Sequence, residues 1–286
     1  MKLAPEKIEQ IEVDCLLDVI YQRLGYDFRD YSPDSLRRRL NFLVEQERVD
    51  SIAELIPRVI HDELFASRLI NSLLVNVTDM FRDPAFYKSF VDNVFPILKT
   101  FSFFKVWSAG CSTGEEAFSL AILLHEHGLL ERARIYATDL SPQVIRKAKE
   151  GLFSADKIEQ YTQGYRQAGG QRELSDYFFS CYDCAKLEER IKKHITFACH
   201  NLVSDSVFTE VEVIICRNVL IYFDRSLKRK VVSLFTSGLH PGGVLCLGSQ
   251  ESLNGLYDDE SYEPISVTNR IYKRTHSIAQ VASIYH

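Results

Sequence analysis

The chain has 286 residues, 46% of them hydrophobic and 26% charged, a composition typical of a globular protein large enough for two domains. Its formal net charge of -5 argues against binding nucleic acid through a general basic surface. The start of the chain lacks the apolar core of a signal peptide, and no later apolar run approaches the ~20 residues of a membrane span. We therefore expect a cytoplasmic protein that neither enters a membrane nor binds nucleic acid.

The N-terminal part of the chain has the patterns of successive helices. Apolar residues recur near a 3.6-residue period from Ile8 to Leu24, and Gly25 follows as a C-cap. A second helix is predicted after Ser32, and further helical periodicity continues to about residue 75. We therefore predict an all-helical domain over residues 1–75.

From residue 101 onward, apolar strands alternate with helices. The predicted strands span 103–109, 133–139, 194–202, 211–223 and 242–248. Unbroken apolar strands separated by helices predict a mainly parallel α/β sheet covered on both faces. Two short runs, 262–267 and 270–274, predict a terminal antiparallel hairpin. The polar stretch at about 151–192 breaks the alternation and is interpreted as a small inserted subdomain.

The loop after the first of these strands, in "WSAGCSTGEEAFSLA", predicts a ligand site. Small residues and a helix start usually favour phosphate, but Glu115 and Glu116 at this helix start would repel it. Asp139 ends the next strand, 24 residues after Glu115, where an acid can accept both ribose hydroxyls. NAD also requires such an acid, but it needs a G-x-G-x-x-G phosphate loop as well. The loop after the first strand lacks that pattern, since its only glycines are Gly110 and Gly114. A nucleoside with a cationic group fits better, which indicates S-adenosylmethionine.

Three separated stretches then resemble signatures of one family. "SAGCSTGEEAFSLA", "NVTDMFRDPAFY" at 76–87 and "CRNVLIYFD" at 216–224 are similar to stretches of the CheR-type chemotaxis receptor methyltransferases, in the same order and over about 10–275. That family transfers methyl groups from S-adenosylmethionine to glutamates of chemoreceptors. The resemblance implies a Rossmann-like methyltransferase fold, the product S-adenosylhomocysteine, and the cytoplasmic helical domains of chemoreceptors as partners. We expect the protein to be a monomer.

The resemblance also implies a domain arrangement. Residues 1–75 would form a substrate-docking domain, and 76–100 a linker helix that contributes to the cofactor site. Residues 101–275 would form the methyltransferase domain, with a small β-subdomain inserted at about 151–192. A C-terminal tail would occupy 276–286.

Roles for individual residues follow from the same resemblance. The residues expected to bind the cofactor are Asn76, Thr78, Arg82, Gly110, Glu115, Asp139, Asn201, Leu202, Arg217 and Asn218. Among them, Glu115 would bind the methionine portion and Asp139 the ribose. Asn201 and Leu202 would contact the adenine. The expected catalytic residues are Arg82, Arg217 and Tyr222, with Tyr222 facing Arg82. The basic run expected to dock the receptor helix is Arg37, Arg38 and Arg39.

Structural explanations exist for many of these residues. Asn76 and Thr78 could cap a helix, Asp139 could be an N-cap, and Glu115 could complement a helix dipole. Arg217 could be a surface ion-pair partner and Tyr222 a core residue, while a basic run such as 37–39 is commonly a solvated face.

The chemistry of a glutamate acceptor requires little from the enzyme. A glutamate is already a carboxylate at neutral pH, so no general base is needed, and His200 is interpreted as structural. Cys181, Cys184 and Cys199 with His200 have loose spacing for zinc, and we expect no metal. Two other functions stay open: methylation of another protein or a small molecule, and a non-catalytic S-adenosylmethionine-binding sensor or scaffold.

Overall fold

The computed structural model describes residues 4–75, 77–256 and 261–275. The expectations for Asn76 and for the tail at 276–286 lie outside the described residues. The chain divides into two compact units. The first contains the described residues up to 75 together with Ile221–Lys228, and the second contains Val77–Leu220 and the described residues from Arg229 onward.

The first unit is built from helices. They are α1 (Pro5–Leu24), α2 (Pro33–Glu47), α3 (Leu55–His61) and α4 (Glu63–Leu73), with a 3-10 turn at Ile52–Glu54 before α3. Gly25 ends α1 in the left-handed conformation at φ 76°, and its N–H donates to the Tyr21 carbonyl at 2.9 Å. The all-helical N-terminal domain of the expected fold class is therefore confirmed.

A short segment from late in the chain belongs to this first unit. Tyr31 and Phe223 form an antiparallel bridge, and their rings pack edge to face at 5.0 Å between centroids. The N–H of Ser32 donates to the Tyr222 carbonyl at 2.8 Å, and the N–H of Asp224 donates to the Asp30 carbonyl at 2.9 Å. The backbone around Tyr222 is thus fixed by the connection between α1 and α2.

The second unit contains a seven-stranded sheet in the order β6-β2-β1-β7-β8-β10-β9. The strands of the unit are β1 (Phe104–Ala109), β2 (Ala133–Asp139), β3 (Leu152–Ser154), β4 (Phe178–Cys181), β5 (Cys184–Leu187), β6 (Ile195–Cys199), β7 (Val211–Cys216), β8 (Leu239–Leu247), β9 (Tyr262–Ser266) and β10 (Ile271–Arg274). The first five strands in this order, β6, β2, β1, β7 and β8, are parallel to one another. Strand β10 is antiparallel to both of its neighbours, β8 and β9. The expected parallel sheet with its terminal hairpin is confirmed.

The remaining helices precede β1 or lie between successive strands. They are α5 (Pro84–Asn93), α6 (Phe95–Leu98), α7 (Glu115–Glu126), α8 (Pro142–Glu150), α9 (Ala155–Gln167), α10 (Glu189–Lys192) and α11 (Arg225–Gly238). None of the helices in the described part of the chain is long and apolar enough to cross a membrane.

The insertion forms a separate three-stranded antiparallel sheet in the order β3-β5-β4. Glu126, at the end of α7, attaches it to the main core by accepting a hydrogen bond from the Tyr177 hydroxyl at 2.8 Å. The small inserted subdomain of the expected fold class is thereby confirmed.

The predicted strand at 211–223 is too long. β7 ends at Cys216, and a 3-10 turn follows at Leu220–Tyr222. Asn218 has a φ of 60°, in the left-handed region, and this conformation takes the chain out of the sheet. Apolar runs alone do not show such a turn, because the side chains beyond it are apolar as well.

Parallel strands bring their carboxyl ends to one edge of the sheet, where ligands of such folds bind. Ala109 at the end of β1 is in register with Thr138 of β2, and Asp139 is in register with Cys199 of β6. Buried Trp107 fixes this register, since its indole N–H donates to the Thr138 hydroxyl at 2.8 Å. The loops after β1 and β2 therefore meet.

Candidate active site

The loop after β1 is held in a special backbone conformation. Gly110 has φ +77° and Gly114 has φ +95°, where side chains are strained, and Ser112 also lies in the left-handed region at φ 50°. A Cβ at Gly110 would collide with Cγ2 of Val219, and one at Gly114 would lie 2.9 Å from Cε2 of Phe118. Both glycines are therefore required by packing within the protein, and the cofactor contact expected of Gly110 stays a prediction.

The backbone N–H groups of this loop are used internally. The N–H groups of Gly110 and Cys111 donate to the Thr138 carbonyl at 2.8 and 2.9 Å, and the Gly114 N–H donates to the Cys111 carbonyl at 3.0 Å. The Ser112 N–H donates to Oδ2 of Asp139 at 2.9 Å. These four donors cannot cradle a phosphate, which agrees with the exclusion of a dinucleotide phosphate loop.

Asp139 lies at the end of β2, partly exposed, at the edge where ligands bind. Its second oxygen, Oδ1, accepts the N–H of Ser141 at 3.0 Å. The N-cap of α8 is Ser141, whose hydroxyl accepts from the Val144 N–H at 3.5 Å, so Asp139 is not the N-cap. Burial raises the pKa of Asp139, and its backbone hydrogen bonds partly oppose that rise. Each oxygen keeps capacity for a further donor, as a ribose hydroxyl would be.

Glu115 begins α7 and is only 2% exposed. Its Oε2 accepts a hydrogen bond from the Thr113 hydroxyl at 2.6 Å. Burial raises the pKa of this carboxyl, which means that its charge is poorly stabilised in the ligand-free protein. A cationic group placed beside it would relieve this cost. Together with Asp139, this residue fits the ammonium and ribose of S-adenosylmethionine.

Arg217, directly after β7, is a buried cation that pairs with an exposed carboxylate, Asp83, and a largely buried one, Glu116. Its Nη2 lies 2.7 Å from Oδ2 of Asp83 and donates to the Arg82 carbonyl at 3.2 Å. Its Nη1 lies 3.5 Å from Oε2 of Glu116, and its guanidinium stacks 4.1 Å from the centroid of Phe86. The side chain is 3% exposed. The guanidinium is therefore neutralised by protein carboxylates, and it attaches the segment around 82–86 to α7.

Asp83 and Glu116 are functional candidates that sequence reasoning missed. Glu116 also accepts the Ser108 hydroxyl at 2.8 Å, and burial raises the pKa of its carboxyl while Arg217 opposes that rise. For Glu116, the sequence signal was the pair of acidic residues at the start of α7. That pair indicates negative charge but does not show that Arg217 is its partner. Arg217 is thus a buried ion-pair residue, whereas the structural alternative placed it on the surface.

The segment before α5 exposes Arg82. Phe81 and Asp83 both have left-handed backbone conformations, at φ 55° and 59°, and the Phe81 N–H donates to the Ser119 hydroxyl at 2.9 Å. The Phe81 side chain is buried and that of Arg82 is exposed. Thr78 is half-buried just before this segment. The cofactor contacts expected of Thr78 and Arg82 stay predictions.

Asn201 and Leu202 form the turn after β6. The Asn201 side-chain oxygen accepts the Val203 N–H at 2.9 Å, and its own N–H donates to Oδ2 of Asp205 at 2.9 Å. Leu202 is buried. The asparagine therefore shapes the turn at the ligand edge, and its expected contact with adenine stays a prediction.

His200 makes packing contacts, and its purely structural role stays a prediction. Its Nε2 lies 3.1 Å from the Ser206 carbonyl, and its ring packs edge to face against Trp107 at 5.2 Å between centroids. Within residues 4–75, 77–256 and 261–275, no three His, Cys, Asp or Glu side chains are grouped as metal ligands would be.

A third missed residue, Glu251, holds the turn after β7. The N–H groups of Asn218 and Val219 donate to its two carboxylate oxygens at 3.2 and 2.9 Å. Glu251 follows β8 and is 4% exposed.

In the first unit, the three arginines of the basic run in α2 have different environments. Arg39 lies over the Tyr222 ring at 4.6 Å and donates to the Leu73 carbonyl, and burial lowers its pKa. Arg37 pairs with Glu9 at 3.3 Å. Arg38 is exposed. The expected contact of Tyr222 with Arg82 and the docking role of the run stay predictions.

Comparison with known proteins agrees with this geometry. Residues 11–74 match the family model "CheR methyltransferase, all-alpha domain", and residues 76–270 match "CheR methyltransferase, SAM binding domain". The fold and the site therefore define an S-adenosylmethionine-dependent methyltransferase. The chain belongs to the CheR methyltransferase family.

Several relatives have similar lengths. The chain is 40% identical to the Pseudomonas putida protein Cher3, named as a methyltransferase, over 96% of this chain and 100% of that protein. It is 28% identical to a chemotaxis protein methyltransferase of Listeria monocytogenes, over 90% of this chain and 95% of the relative. It is 30% identical to chemotaxis protein methyltransferase 1 of Vibrio cholerae, over 78% and 82% of the two chains.

Proposed function

We propose that this methyltransferase forms methyl esters on glutamate side chains of chemoreceptor cytoplasmic helices, as a monomer in the cytoplasm. The names of the chemotaxis relatives support the receptor substrate. The observation that best supports S-adenosylmethionine chemistry is a pair of carboxylates, that of Glu115 at the start of α7 and that of Asp139 at the end of β2. Glu115 is buried with its pKa raised, and Asp139 lies at the ligand edge of β2.

The residues of the chain would act mainly by positioning. When bound, S-adenosylmethionine supplies an electrophilic methyl group on a sulfonium. Glu115 would hold the ammonium of the methionine portion, and Asp139 would accept the ribose hydroxyls. The acceptor glutamate is ionised at neutral pH, so its carboxylate would need no general base to accept the methyl group, with the neutral thioether as the leaving group. In-line alignment and exclusion of water would then account for the acceleration.

The arginines would have different roles in this scheme. Arg82 is exposed, so its guanidinium is available to attract the acceptor carboxylate. Arg217 is buried against Asp83 and Glu116, and we propose that it fixes the backbone that carries Arg82. Tyr222 would orient the acceptor through its hydroxyl. These assignments rest on the family resemblance together with the charge environment of each side chain.

Receptor docking is assigned to α2. Of the run 37–39, Arg38 has an exposed side chain, whereas Arg37 and Arg39 are partly buried and have partners within the unit. An exposed cation complements the acidic, glutamate-bearing face of a receptor helix. We therefore propose that Arg38 contributes to docking and that Arg39 supports Tyr222.

The test is transfer of a labelled methyl group to a panel of acceptors. The purified chain is incubated with methyl-labelled S-adenosylmethionine and either a receptor cytoplasmic fragment, an unrelated helical protein, or small carboxylic acids. We expect base-labile label on the receptor fragment alone. A matched fragment with its acceptor glutamates changed to glutamine is the control. Label on the small acids or the unrelated protein, with an unlabelled receptor, would contradict the proposal.

A further inference from the structure

The carboxylate of Glu251 joins two neighbouring turns at the ligand edge of the sheet. Its Oε2 accepts the N–H groups of Asn218 at 3.2 Å and Gly248 at 2.5 Å, and its Oε1 accepts that of Val219 at 2.9 Å. Asn218 and Val219 follow β7, and Gly248 follows β8, its parallel neighbour. One buried side chain therefore satisfies three backbone donors from two strand ends.

These donors need this particular acceptor. Asn218 is in the left-handed region at φ 60°, and its N–H and that of Val219 donate to Glu251 rather than to a neighbouring strand. A buried N–H without an acceptor costs roughly 1–3 kcal/mol. A carboxylate can accept with both oxygens, and its charge strengthens each bond. A glutamine has one acceptor oxygen only, and its NH2 group would face a donor.

The approach at Gly248 is equally restricted. A Cβ there would lie 2.8 Å from the Asn218 nitrogen and 2.8 Å from Oε2 of Glu251. Glycine is thus required for the two turns to come this close. The arrangement is an interlocked unit, in which the glycine permits the approach and the carboxylate fixes it.

The turn held by Glu251 also contacts the loop after β1. Val219 fills the space that a side chain at Gly110 would occupy. That loop contains the Ser112 N–H that is bonded to Asp139. A shift of the turn after β7 would therefore be transmitted by direct packing to the loop that leads to Glu115 and Asp139.

We propose that Glu251 is a positioning residue for cofactor binding, which acts by fixing Asn218 and, through Val219, the loop after β1. This inference rests on the proposed function and on the cofactor contact that the family resemblance implies for Asn218. Glu251 itself does not need to touch the ligand, because its two oxygens are engaged with the backbone.

The experiment compares Glu251→Gln with Gln250→Ala, a change at an exposed neighbour in the same turn. Calorimetry with S-adenosylhomocysteine is performed at a temperature where circular dichroism shows both variants folded. We expect about 10- to 100-fold weaker binding for Glu251→Gln, since charge-assisted backbone bonds of this kind are lost, and unchanged binding for Gln250→Ala. Wild-type affinity in a folded Glu251→Gln variant overturns the proposal.

A second measurement uses the unmodified chain, so it applies even where the variant does not fold. Amide hydrogen exchange is recorded by NMR at Asn218, Val219 and Gly248 with and without S-adenosylhomocysteine. We expect slow exchange that becomes slower when ligand is bound. Ligand binding that leaves all three rates unchanged contradicts the positioning role. Absence of any binding by the unmodified chain would instead contradict the proposed cofactor site itself.

Discussion

Replacing Glu115 by glutamine should affect folding stability and cofactor binding in opposite directions, because it removes a buried negative charge. The carboxyl is 2% exposed, and burial raises its pKa above the ordinary 4.5 in the ligand-free protein. Because the folded state then holds a proton more tightly than the unfolded state, this group lowers stability as pH rises above about 4.5. At neutral pH, Glu115→Gln should therefore stabilise the ligand-free protein. It should also weaken cofactor binding.

The size of the binding loss follows from the contact that is removed. A hydrogen bond to a charged group contributes roughly 1.5–3 kcal/mol, which corresponds to about 10- to 150-fold in the dissociation constant. The stability gain should appear as a rise in Tm of about 2–4 °C per kcal/mol for a unit of this size. Both effects come from one charge, so they should occur together.

The assay is thermal unfolding with and without S-adenosylhomocysteine, across pH 5 to 8, for the unmodified chain, Glu115→Gln and the control Glu159→Gln. Glu159 is an exposed glutamate of α9 in the same unit. The ligand should stabilise the unmodified chain more as pH rises, because it binds the ionised carboxylate, and this slope should be smaller in Glu115→Gln. A variant that is less stable than the unmodified chain without ligand, yet binds equally well, refutes the reasoning.

Four further changes test other parts of the site. Asp139→Ala should weaken cofactor binding by about 1.5–3 kcal/mol if both ribose hydroxyls lose a charged acceptor, and unchanged affinity in calorimetry would remove Asp139 from the site. Tyr222→Phe should keep cofactor affinity and lower kcat in the transfer assay, whereas wild-type turnover would make it a core residue only. Arg38→Ala should raise KM for a receptor fragment with kcat nearly unchanged, and Arg39→Ala should instead lower kcat; the reverse pattern would exchange their proposed roles.

The fold was largely predictable because its strands carry unbroken apolar runs. The predicted ends of β1 and β2 are nearly correct, since a loop or helix with polar residues follows each strand. The end of β7 was not, because the chain leaves the sheet at Asn218 while its residues remain apolar. Where the backbone leaves a strand depends on its conformation, and an apolar run that continues past that point does not indicate it.

The acidic residues of the site were predictable from their places after strands, but their partners were not. Glu115 and Asp139 lie where the strand order puts them. The pairing of Arg217 with Asp83 and Glu116 joins residues more than a hundred positions apart. The packing of Val219 against Gly110, which excludes a side chain there, also joins residues that are distant in the sequence. Such contacts depend on tertiary packing, which one sequence alone does not specify.

The central claim is that receptor glutamates are the methyl acceptors. Its most direct test is mass spectrometry of a receptor cytoplasmic fragment after incubation with the chain and trideuteromethyl-labelled S-adenosylmethionine. We predict the labelled methyl mass on glutamate residues of the fragment, and its loss as labelled methanol in mild base, as expected for an ester. A receptor fragment that stays unlabelled while the chain binds S-adenosylmethionine, or a label that resists base, would contradict the account.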